Sequence, residues 1–415
     1  MQNIIFHIDV NSAFLSWSAV KMLKEGSKTD IRDIAAVIGG DEKTRHGIVL
    51  AKSISAKKFG IRTGEPIAGA VKKCPGLVVV PPEHSYYRQQ SSLFVNILKE
   101  YTPDIEQVSI DECFLDFSGI SGNFNSPEEA ACIIRSRIKD ELGFTVNVGI
   151  SDCKILAKMA SDFEKPDKTH TLYRNEIKAK MWPLSVDSLF MVGKSSAGVL
   201  KKLGIHTIGE LALMNPDILE QHLKSHGRII WEYANGIDNS GVCTEDADAK
   251  GIGNSVTLPE DVMDFNEACK VLLSLADKVS SRLRKSHFKA GLICVEIKYS
   301  DFTRVSHQKV LEKYVSSCEG IYETASELYS KLWDGRHVRL IGIRSGRLKG
   351  TDEPEQMNIF DYIEEKNNAG EDKRKKADEA MDKINSKYGS KVIVRAGLMG
   401  NGKGGHNHNG MDKRK

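Results

Sequence analysis

The chain has 415 residues, 40% of them hydrophobic and 28% charged, with a formal net charge of +3, which is the composition of a globular protein of two to four domains. Its longest apolar runs, such as 77–80, are too short to cross a bilayer, and its first residues lack the features of a secretory signal. The eight cysteines form no CxxC pair, which disfavours a zinc site and favours a reducing, cytoplasmic location.

The first predicted element is a buried strand over residues 4–10, in which Ile5, His7 and Asp9 share one face. Periodicity then predicts helices at 12–24, 84–100, 126–142 and 154–163. Between them it predicts a set of strands and turns at 34–80, a strand pair at 108–117 and a strand at 145–150. The main elements follow the order β, α, β, β, α, β, which predicts a ferredoxin-like domain with an insertion after the first strand.

A second region is predicted to consist of short helices joined by glycine turns. Turns at 191–194 and 203–207 are typical of a helix-hairpin-helix unit, in which backbone N–H groups and a helix N-terminus face a phosphate. The candidate DNA contacts of this unit are Gly193, Lys194 and Gly204. Residues 236–250 are rich in Gly, Asp, Asn and Ala and are predicted to be a linker.

A third domain is predicted from helices at 266–288 and 320–333 and strands at 292–299 and 338–345. Residues 278–349 hold 15 Lys and Arg against 7 Asp and Glu, an excess of eight positive charges in a chain of net charge +3. A basic module beside an acidic remainder suits a nucleic-acid-binding domain joined to a metal-binding one, although an ordinary solvated surface gives similar charges. The basic helix end supplies the candidate DNA contacts Arg282, Arg284 and Lys285.

Three carboxylates carry the chemical hypothesis. Asp111 and Glu112 are adjacent in an apolar strand pair, and Asp9 ends the first strand. Because the first and third strands of a ferredoxin-like sheet are neighbours, the three acids are expected to converge if the chain bends at 111–112. Clustered carboxylates repel unless cations neutralise them, and oxygen ligands alone favour Mg²⁺. The alternative is that Asp111 and Glu112 are ordinary turn residues.

Several motifs together resemble the Y-family DNA polymerases. They are His7-Ile8-Asp9-Val10-Asn11-Ser12-Ala13-Phe14, Ser109-Ile110-Asp111-Glu112-Cys113-Phe114-Leu115-Asp116, Gly149-Ile150-Ser151 and Lys165-Pro166. The resemblance covers about residues 1–360 and implies an α+β multidomain fold with a ferredoxin-like palm, a small fingers insertion, a helix-hairpin-helix thumb and an α/β little finger. The implied boundaries are 1–11 and 74–167 for the palm, 12–73 for the fingers, 168–239 for the thumb, 240–250 for a linker, 251–349 for the little finger and 350–415 for a clamp-binding peptide and tail.

The resemblance also implies roles for the palm residues. Asp9, Asp111 and the carbonyl of Val10 would hold two Mg²⁺ ions, and Glu112 would be both a metal ligand and the catalytic carboxylate. Phe14 falls at the steric gate, where an aromatic ring leaves no room for a ribose 2′-hydroxyl; the alternative is an ordinary core residue of the first helix.

Triphosphate binding is implied for two lysines. Lys165 matches the lysine of the family that contacts the triphosphate. In the fingers, Ile54 and Lys57 replace the Tyr and Arg usual in the family, and Ala13 replaces a frequent aromatic residue. Lys57 can still contact a phosphate, but without the two-pronged geometry of a guanidinium.

The C-terminal region holds two further features. Residues 356–360 resemble a sliding-clamp peptide, with Gln356, Ile359 and Phe360 as the clamp-binding positions. Helical spacing of apolar residues between 377 and 388 then predicts an amphipathic helix that packs on the body or binds a partner.

The predicted function is therefore template-directed DNA synthesis of the lesion-bypass type, with low fidelity and no proofreading. The expected partners are primer-template DNA, dNTPs and the replication sliding clamp, and the protein is expected to be a monomer. Two alternatives are a catalytically inactive relative that acts as a DNA-binding adaptor and another palm enzyme such as a nucleotide cyclase. The first gives no reason for three acids, and the second gives none for the helix-hairpin-helix and basic domains.

Overall fold

The computed structural model describes residues 3–40, 47–245, 249–353, 369–389 and 392–398. These form two compact units that divide near residue 246, within the predicted linker. The predicted clamp-binding positions Gln356, Ile359 and Phe360 lie outside the described residues. Within the described residues, no helix has the length and apolarity needed to span a membrane.

The first unit contains two sheets and eleven helices among its described residues. Its strands are β1 (Ile5–Val10), β2 (Ala36–Gly39), β3 (Val49–Lys52), β4 (Val78–Val80), β5 (Ile105–Gln107), β6 (Glu112–Asp116), β7 (Val146–Ser151) and β8 (Thr169–Thr171). Its helices are α1 (Ala13–Lys24), α2 (Ile54–Lys58), α3 (Ile67–Lys73), α4 (His84–Lys99), α5 (Pro127–Leu142), α6 (Lys154–Ser161), α7 (Ile177–Lys180), α8 (Lys194–Lys202), α9 (Ile208–Leu213), α10 (Pro216–Leu223) and α11 (Ser225–Ala234).

The palm sheet has the strand order β5-β6-β1-β7-β8. Strand β1 lies between β6 and β7 and is antiparallel to both, so the predicted ferredoxin-like order and the predicted neighbourhood of the first and third strands are confirmed. Every residue of β1 is buried, because helices cover both faces of the sheet. Phe6 and Ile8 pack with α4 and α5, whereas Ile5 packs against α6 on the opposite face.

The palm helices begin and end at residues with clear local causes. Ser126 accepts a hydrogen bond from the backbone N–H of Glu129 over 3.1 Å, and Pro127 starts α5. Gly143 ends that helix with φ of +80°, a conformation that glycine adopts without steric cost. These signals explain why the predicted helix over 126–142 is found almost residue for residue.

The fingers insertion is a separate small layer. It consists of the sheet β3-β2-β4, with β2 parallel to β4, and the helices α2 and α3. Its own core includes Val37, Val49 and Ile67. A core of this size can hold α2 in place while leaving most of its outer face in solvent.

The thumb comprises α7–α11 around a core that includes Leu200, Ile208 and Ile230. The predicted glycine turn at 203–207 joins α8 to α9, and Gly204 has φ of +79°. The turn at 191–194 differs from the prediction, because the element before α8 is a single 3-10 turn (Val186–Ser188) and not a helix. Residues 181–193 form no α-helix, and Pro183 within this segment has no backbone N–H to donate to a helix.

The second unit is built on one antiparallel sheet of order β11-β10-β12-β9. The strands are β9 (Gly253–Val262), β10 (Phe288–Tyr299), β11 (Arg304–Val315) and β12 (Val338–Gly350), and the helices are α12 (Phe265–Lys285), α13 (Cys318–Leu332) and α14 (Ala369–Tyr388). Helices α12 and α13 pack on one face through a core that includes Leu275, Ile293 and Ile341. The sequence analysis did not predict β9 or β11.

Helix α14 packs against the second unit through buried charges. Asp378 is 4% exposed and lies 3.2 Å from Nη1 of Arg284. It also pairs with Arg395 and accepts the backbone N–H of Cys318 at the start of α13 over 3.0 Å. Asp382 lies 2.7 Å from Nε of Arg284. Of the two predicted outcomes for this helix, the structure shows packing on the body.

Replacing Asp378 with alanine is expected to destabilise the second unit by about 3 kcal/mol, because the buried guanidinium of Arg284 would keep Asp382 but lose Asp378, and the backbone N–H of Cys318 would lose its acceptor. Hydrogen exchange in urea is the measurement, with the Cys318 amide expected to lose protection first. Glu379→Ala is the matched control, because Glu379 is the next residue of the helix and is exposed. Equal stability of the two variants would contradict a structural role for this ion cluster.

Candidate active site

Two of the three predicted acids face each other across paired strands. Asp9 lies near the end of β1, and its register partner in the antiparallel strand β6 is Glu112. Directly opposed residues of antiparallel strands project on the same face, with Cβ atoms about 5 Å apart. The side chain of Asp9 is 12% exposed, whereas that of Glu112 is 25% exposed.

Asp111 belongs to the turn that joins β5 to β6. Its carbonyl accepts the backbone N–H of Val10 over 3.0 Å, which ties this turn to the end of β1. Oγ of Ser109 donates to Oδ1 of Asp111 over 2.6 Å. The turn thus supplies the chain reversal that adjacent acids need in order to serve one site, since consecutive strand residues would point to opposite faces.

A lysine compensates the buried carboxylate of Asp9. Nζ of Lys165 contacts Oδ2 of Asp9 and lies 2.8 Å from Oδ1 of Asp162. Burial raises the pKa of Asp9 to about 6, and the nearby Lys165 opposes that rise. Lys165 therefore favours the ionised form of Asp9, which burial disfavours.

The sequence analysis missed the partners of Glu112. Nζ of Lys158, in α6, lies 2.9 Å from Oε2 of Glu112, and Nε2 of His7 lies 3.8 Å from the same oxygen. Contacts with His7 and Lys158 lower the pKa of Glu112 to about 2 against the opposing effect of burial. Two signals were present in the sequence: the alternation of β1 places His7 beside Asp9, and Lys158 lies inside the apolar run of α6.

The residues present fit a divalent cation. Across the described ranges, no three His, Cys, Asp or Glu side chains are grouped as they would be around a bound ion. The contacts explain this, because ammonium groups hold Asp9 and Glu112 and the Ser109 hydroxyl holds one oxygen of Asp111. A pocket that already places two ammonium groups on its carboxylates favours positive charge, and its oxygen donors are those that Mg²⁺ prefers.

Comparison with known proteins identifies the family. Residues 8–162 match the impB/mucB/samB family, and residues 249–359 match the C-terminal domain of that family. The chain belongs to the Y-family DNA polymerases. The matched segments include the palm carboxylates in the first unit and the sheet of the second.

Curated relatives and a solved structure agree with this assignment. DNA polymerase IV of Clostridium acetobutylicum is 48% identical over 400 residues, which cover 96% of this chain and 99% of that protein. DNA polymerase IV 1 of Bacillus subtilis is 35% identical over 398 residues, which cover 95% of this chain and 93% of that protein. A solved Y-family DNA polymerase chimera is 25% identical, with a TM-score of 0.71, and the match covers 83% of this chain and 99% of the chimera.

Family membership confirms the predicted fold class and the predicted activity, a DNA-directed DNA polymerase of the lesion-bypass type. It also implies binding of primer-template DNA and a general dependence on divalent metal. The relatives give no support to an inactive adaptor.

In this Y-family polymerase, Phe14 lies in the first turn of α1. Its ring stacks on Tyr87 with a centroid separation of 4.6 Å and an interplanar angle of 14°. The residue is only partly buried, so part of the ring remains accessible. Ser12, just before the helix, has φ of +48°, an uncommon conformation that turns the chain sharply between Asp9 and Phe14.

The fingers residues of the polymerase are solvent-facing. Ile54 begins α2 and is 55% exposed, and Lys57 is exposed one turn later. Ser53 caps this helix through its hydroxyl, which accepts the N–H of Ala56. Lys52 precedes the cap, and burial together with the charge of Lys57 lowers the pKa of Lys52. The two lysines are thus close enough to repel one another.

The predicted DNA contacts of the polymerase fall into three classes. Gly193, Lys194 and Gly204 are exposed at the α8 start and the α8–α9 turn. Arg282 and Lys285 are exposed on α12, although Nη1 of Arg282 donates to the carbonyl of Gly253 over 2.8 Å. Arg284 differs, because its guanidinium is engaged by the carboxylates of α14.

Proposed function

We propose that the polymerase adds a dNTP to a primer 3′-hydroxyl with two Mg²⁺ ions held by Asp9, Asp111, Glu112 and the carbonyl of Val10. The direct opposition of Asp9 and Glu112 across β1 and β6, with Asp111 in the adjoining turn, supports the proposal. Ions held there would lower the pKa of the 3′-hydroxyl and neutralise charge on the leaving pyrophosphate. Primer extension after loss of the Asp111 and Glu112 carboxylates tests this assignment.

Lys165 has two positions in this proposal. Its ammonium lies on Asp9 in the structure and is 34% exposed as a side chain, so it can reach an anion outside the pocket. With a cation held by Asp9, Lys165 would be available to the triphosphate of the incoming nucleotide. The lysine would then pair with a phosphate in place of Asp9, and the Asp9 carboxylate would keep a positive partner.

We propose that Lys57 assists from the fingers. Its exposed ammonium lies near Lys52, and two repelling lysines are relieved by a shared anion such as a triphosphate. Ile54 has no donor, so the grip differs from one built on a Tyr and an Arg. We also propose that Phe14 excludes ribonucleotides through its accessible ring.

DNA is proposed to contact both units. In the thumb, Gly193, Lys194 and Gly204 expose backbone N–H groups and a charge at a helix start. In the second unit, Lys298, Arg304 and Arg344 lie on the sheet face opposite the core of α12 and α13. Phosphate contact is also proposed for Arg282 and Lys285 but not for Arg284, whose charge is already compensated.

We further propose that the polymerase works as a monomer in the cytoplasm.

Clamp binding is proposed for the peptide at 356–360, which lies at the end of the segment that matches the C-terminal domain. The clamp is expected to stimulate synthesis by the intact protein, and this stimulation is measured as the ratio of synthesis with the clamp to synthesis without it. Deleting the peptide is expected to lower this ratio to one, because the peptide supplies the docking side chains. Primer extension with and without the clamp measures this ratio. Removing residues 401–415 is the control and should leave the ratio high. A high ratio after deletion of 356–360 would place the clamp contact elsewhere.

A further inference from the structure

A buried lysine lies next to the carboxylate of Glu112. Lys158 is in the middle of α6, where every residue from Ile155 to Ser161 is buried, and it is only 8% exposed. Its Nζ donates to Oε2 of Glu112 over 2.9 Å and lies 5.1 Å from the ring centroid of Phe190. Burying a charged lysine at such a depth costs free energy unless a negative group compensates the charge, and Glu112 supplies that group.

The same ammonium also lies 3.5 Å from Nε2 of His7. His7 is completely buried, and its Nδ1 lies 2.7 Å from Oγ of Ser161. The Ser161 hydroxyl also donates to the carbonyl of Lys158 over 2.8 Å, so Ser161 links the His7 ring to the backbone of α6.

Nε2 of His7 thus faces both members of the ion pair, at 3.5 Å from Nζ of Lys158 and 3.8 Å from Oε2 of Glu112. Because its ring is fully buried and held by Ser161, His7 limits the positions that the Lys158 ammonium can take, and Lys158 contacts Glu112. The chain of contacts runs from Ser161 through His7 and Lys158 to the carboxylate.

Close packing of α6 on the palm sheet makes this contact possible. A Cβ atom at Gly149 of β7 would lie only 1.9 Å from the carbonyl oxygen of Ala157. Only glycine allows that approach, which brings the helix near enough for Lys158 to reach across β1 to Glu112 on β6. The lysine position is thus determined by backbone packing and does not depend on a flexible surface side chain.

We propose that Lys158 is a positioning residue that sets the orientation of the Glu112 carboxylate for metal-dependent nucleotidyl transfer. It engages Oε2 and leaves Oε1, which accepts no hydrogen bond within the described ranges, as the oxygen available to a metal ion. This inference rests on the proposed role of Glu112. It adds a residue that touches neither substrate nor metal and acts only through the carboxylate.

The test is Lys158→Met, which keeps an unbranched side chain and removes the charge. Turnover is expected to fall about 10- to 100-fold, as is typical when a partner that orients a metal ligand is lost, with little change in the KM for dNTP. Binding of Mn²⁺ to the free protein, followed by electron paramagnetic resonance, is expected to tighten roughly 3- to 10-fold, because one positive charge leaves the pocket. General damage to the site would lower turnover and would also weaken Mn²⁺ binding.

The matched control is Lys154→Met. Lys154 lies one turn earlier in α6, pairs with Glu106 of β5 over 2.6 Å and lies 5.0 Å from the ring centroid of Phe114. It therefore forms the same kind of ion pair, but not with one of the three predicted metal-binding acids. This variant should keep wild-type turnover and Mn²⁺ binding. The proposal is overturned if Lys158→Met keeps full turnover, if its Mn²⁺ binding weakens, or if Lys154→Met shows the same changes.

Failure of this inference and failure of the proposed function have different signatures. If Glu112→Ala retains synthesis, the role of Glu112 itself is wrong. If Glu112→Ala is inactive while Lys158→Met matches wild type in turnover, only the positioning role of Lys158 is wrong.

Discussion

A polymerase in which Asp111 and Glu112 are both replaced by alanine is expected to lose primer extension by at least about 1000-fold. The pocket would keep Asp9 as its only predicted acid, and the ammonium groups of Lys158 and Lys165 would then outnumber the predicted acids. Loss of metal stabilisation costs several kcal/mol, and each 1.4 kcal/mol is a tenfold change in rate. Single-nucleotide extension with Mg²⁺ under single-turnover conditions is the measurement.

A second adjacent acid pair provides the control for this prediction. Glu128 and Glu129 lie in the first turn of α5, and Glu129 bonds to Asn125 outside the carboxylate pocket. Glu128→Ala/Glu129→Ala removes the same formal charge and should keep near wild-type extension once the folded fractions are matched by circular dichroism. Full extension by the Asp111→Ala/Glu112→Ala protein would reject the metal assignment.

Replacing Phe14 with alanine is expected to raise the use of ribonucleotides relative to deoxyribonucleotides by roughly 100-fold, the range over which an apolar wall discriminates against one added hydroxyl. The ring is partly exposed in the first turn of α1 and is held by its stack on Tyr87, so its position is rigid. Removing it opens space without adding a hydrogen-bond partner. The ratio of kcat/KM for a matched rNTP and dNTP measures the effect.

Phe59→Ala serves as the aromatic control for sugar selection. Phe59 follows α2 in the fingers and is 52% exposed, so its loss removes an equal ring from a different surface. Its sugar preference should equal that of wild type. An unchanged preference in Phe14→Ala would assign Phe14 to the core around Tyr87 and not to a gate.

The packing of the palm could be predicted because local signals agreed with the tertiary fold. The alternation of β1 placed His7 and Asp9 on one face, and the cap at Ser126 with Gly143 marked both ends of α5. Strand β11 was missed for a physical reason: most of its residues are exposed, so it lacks the apolar alternation that marks a half-buried strand.

Charge alone misled the assignment of one residue. Arg284 lies in a basic stretch at the end of α12, and the sequence favoured a DNA contact. In the structure its guanidinium pairs with Asp378, which is 94 positions later. A count of charges within one segment does not include carboxylates from a distant helix that pair with them. Such a count therefore overstates how much positive charge is available to DNA.

The sequence by itself determined the family and the order of the palm elements and named the three candidate carboxylates, because periodicity and short motifs are local properties of the chain. Only the tertiary structure decided what surrounds those carboxylates. Lys158 meets Glu112 across 46 positions, and Lys165 meets Asp9 across 156. Such pairs exist because helices pack on a sheet at a given depth, and that depth depends on backbone contacts such as the one at Gly149.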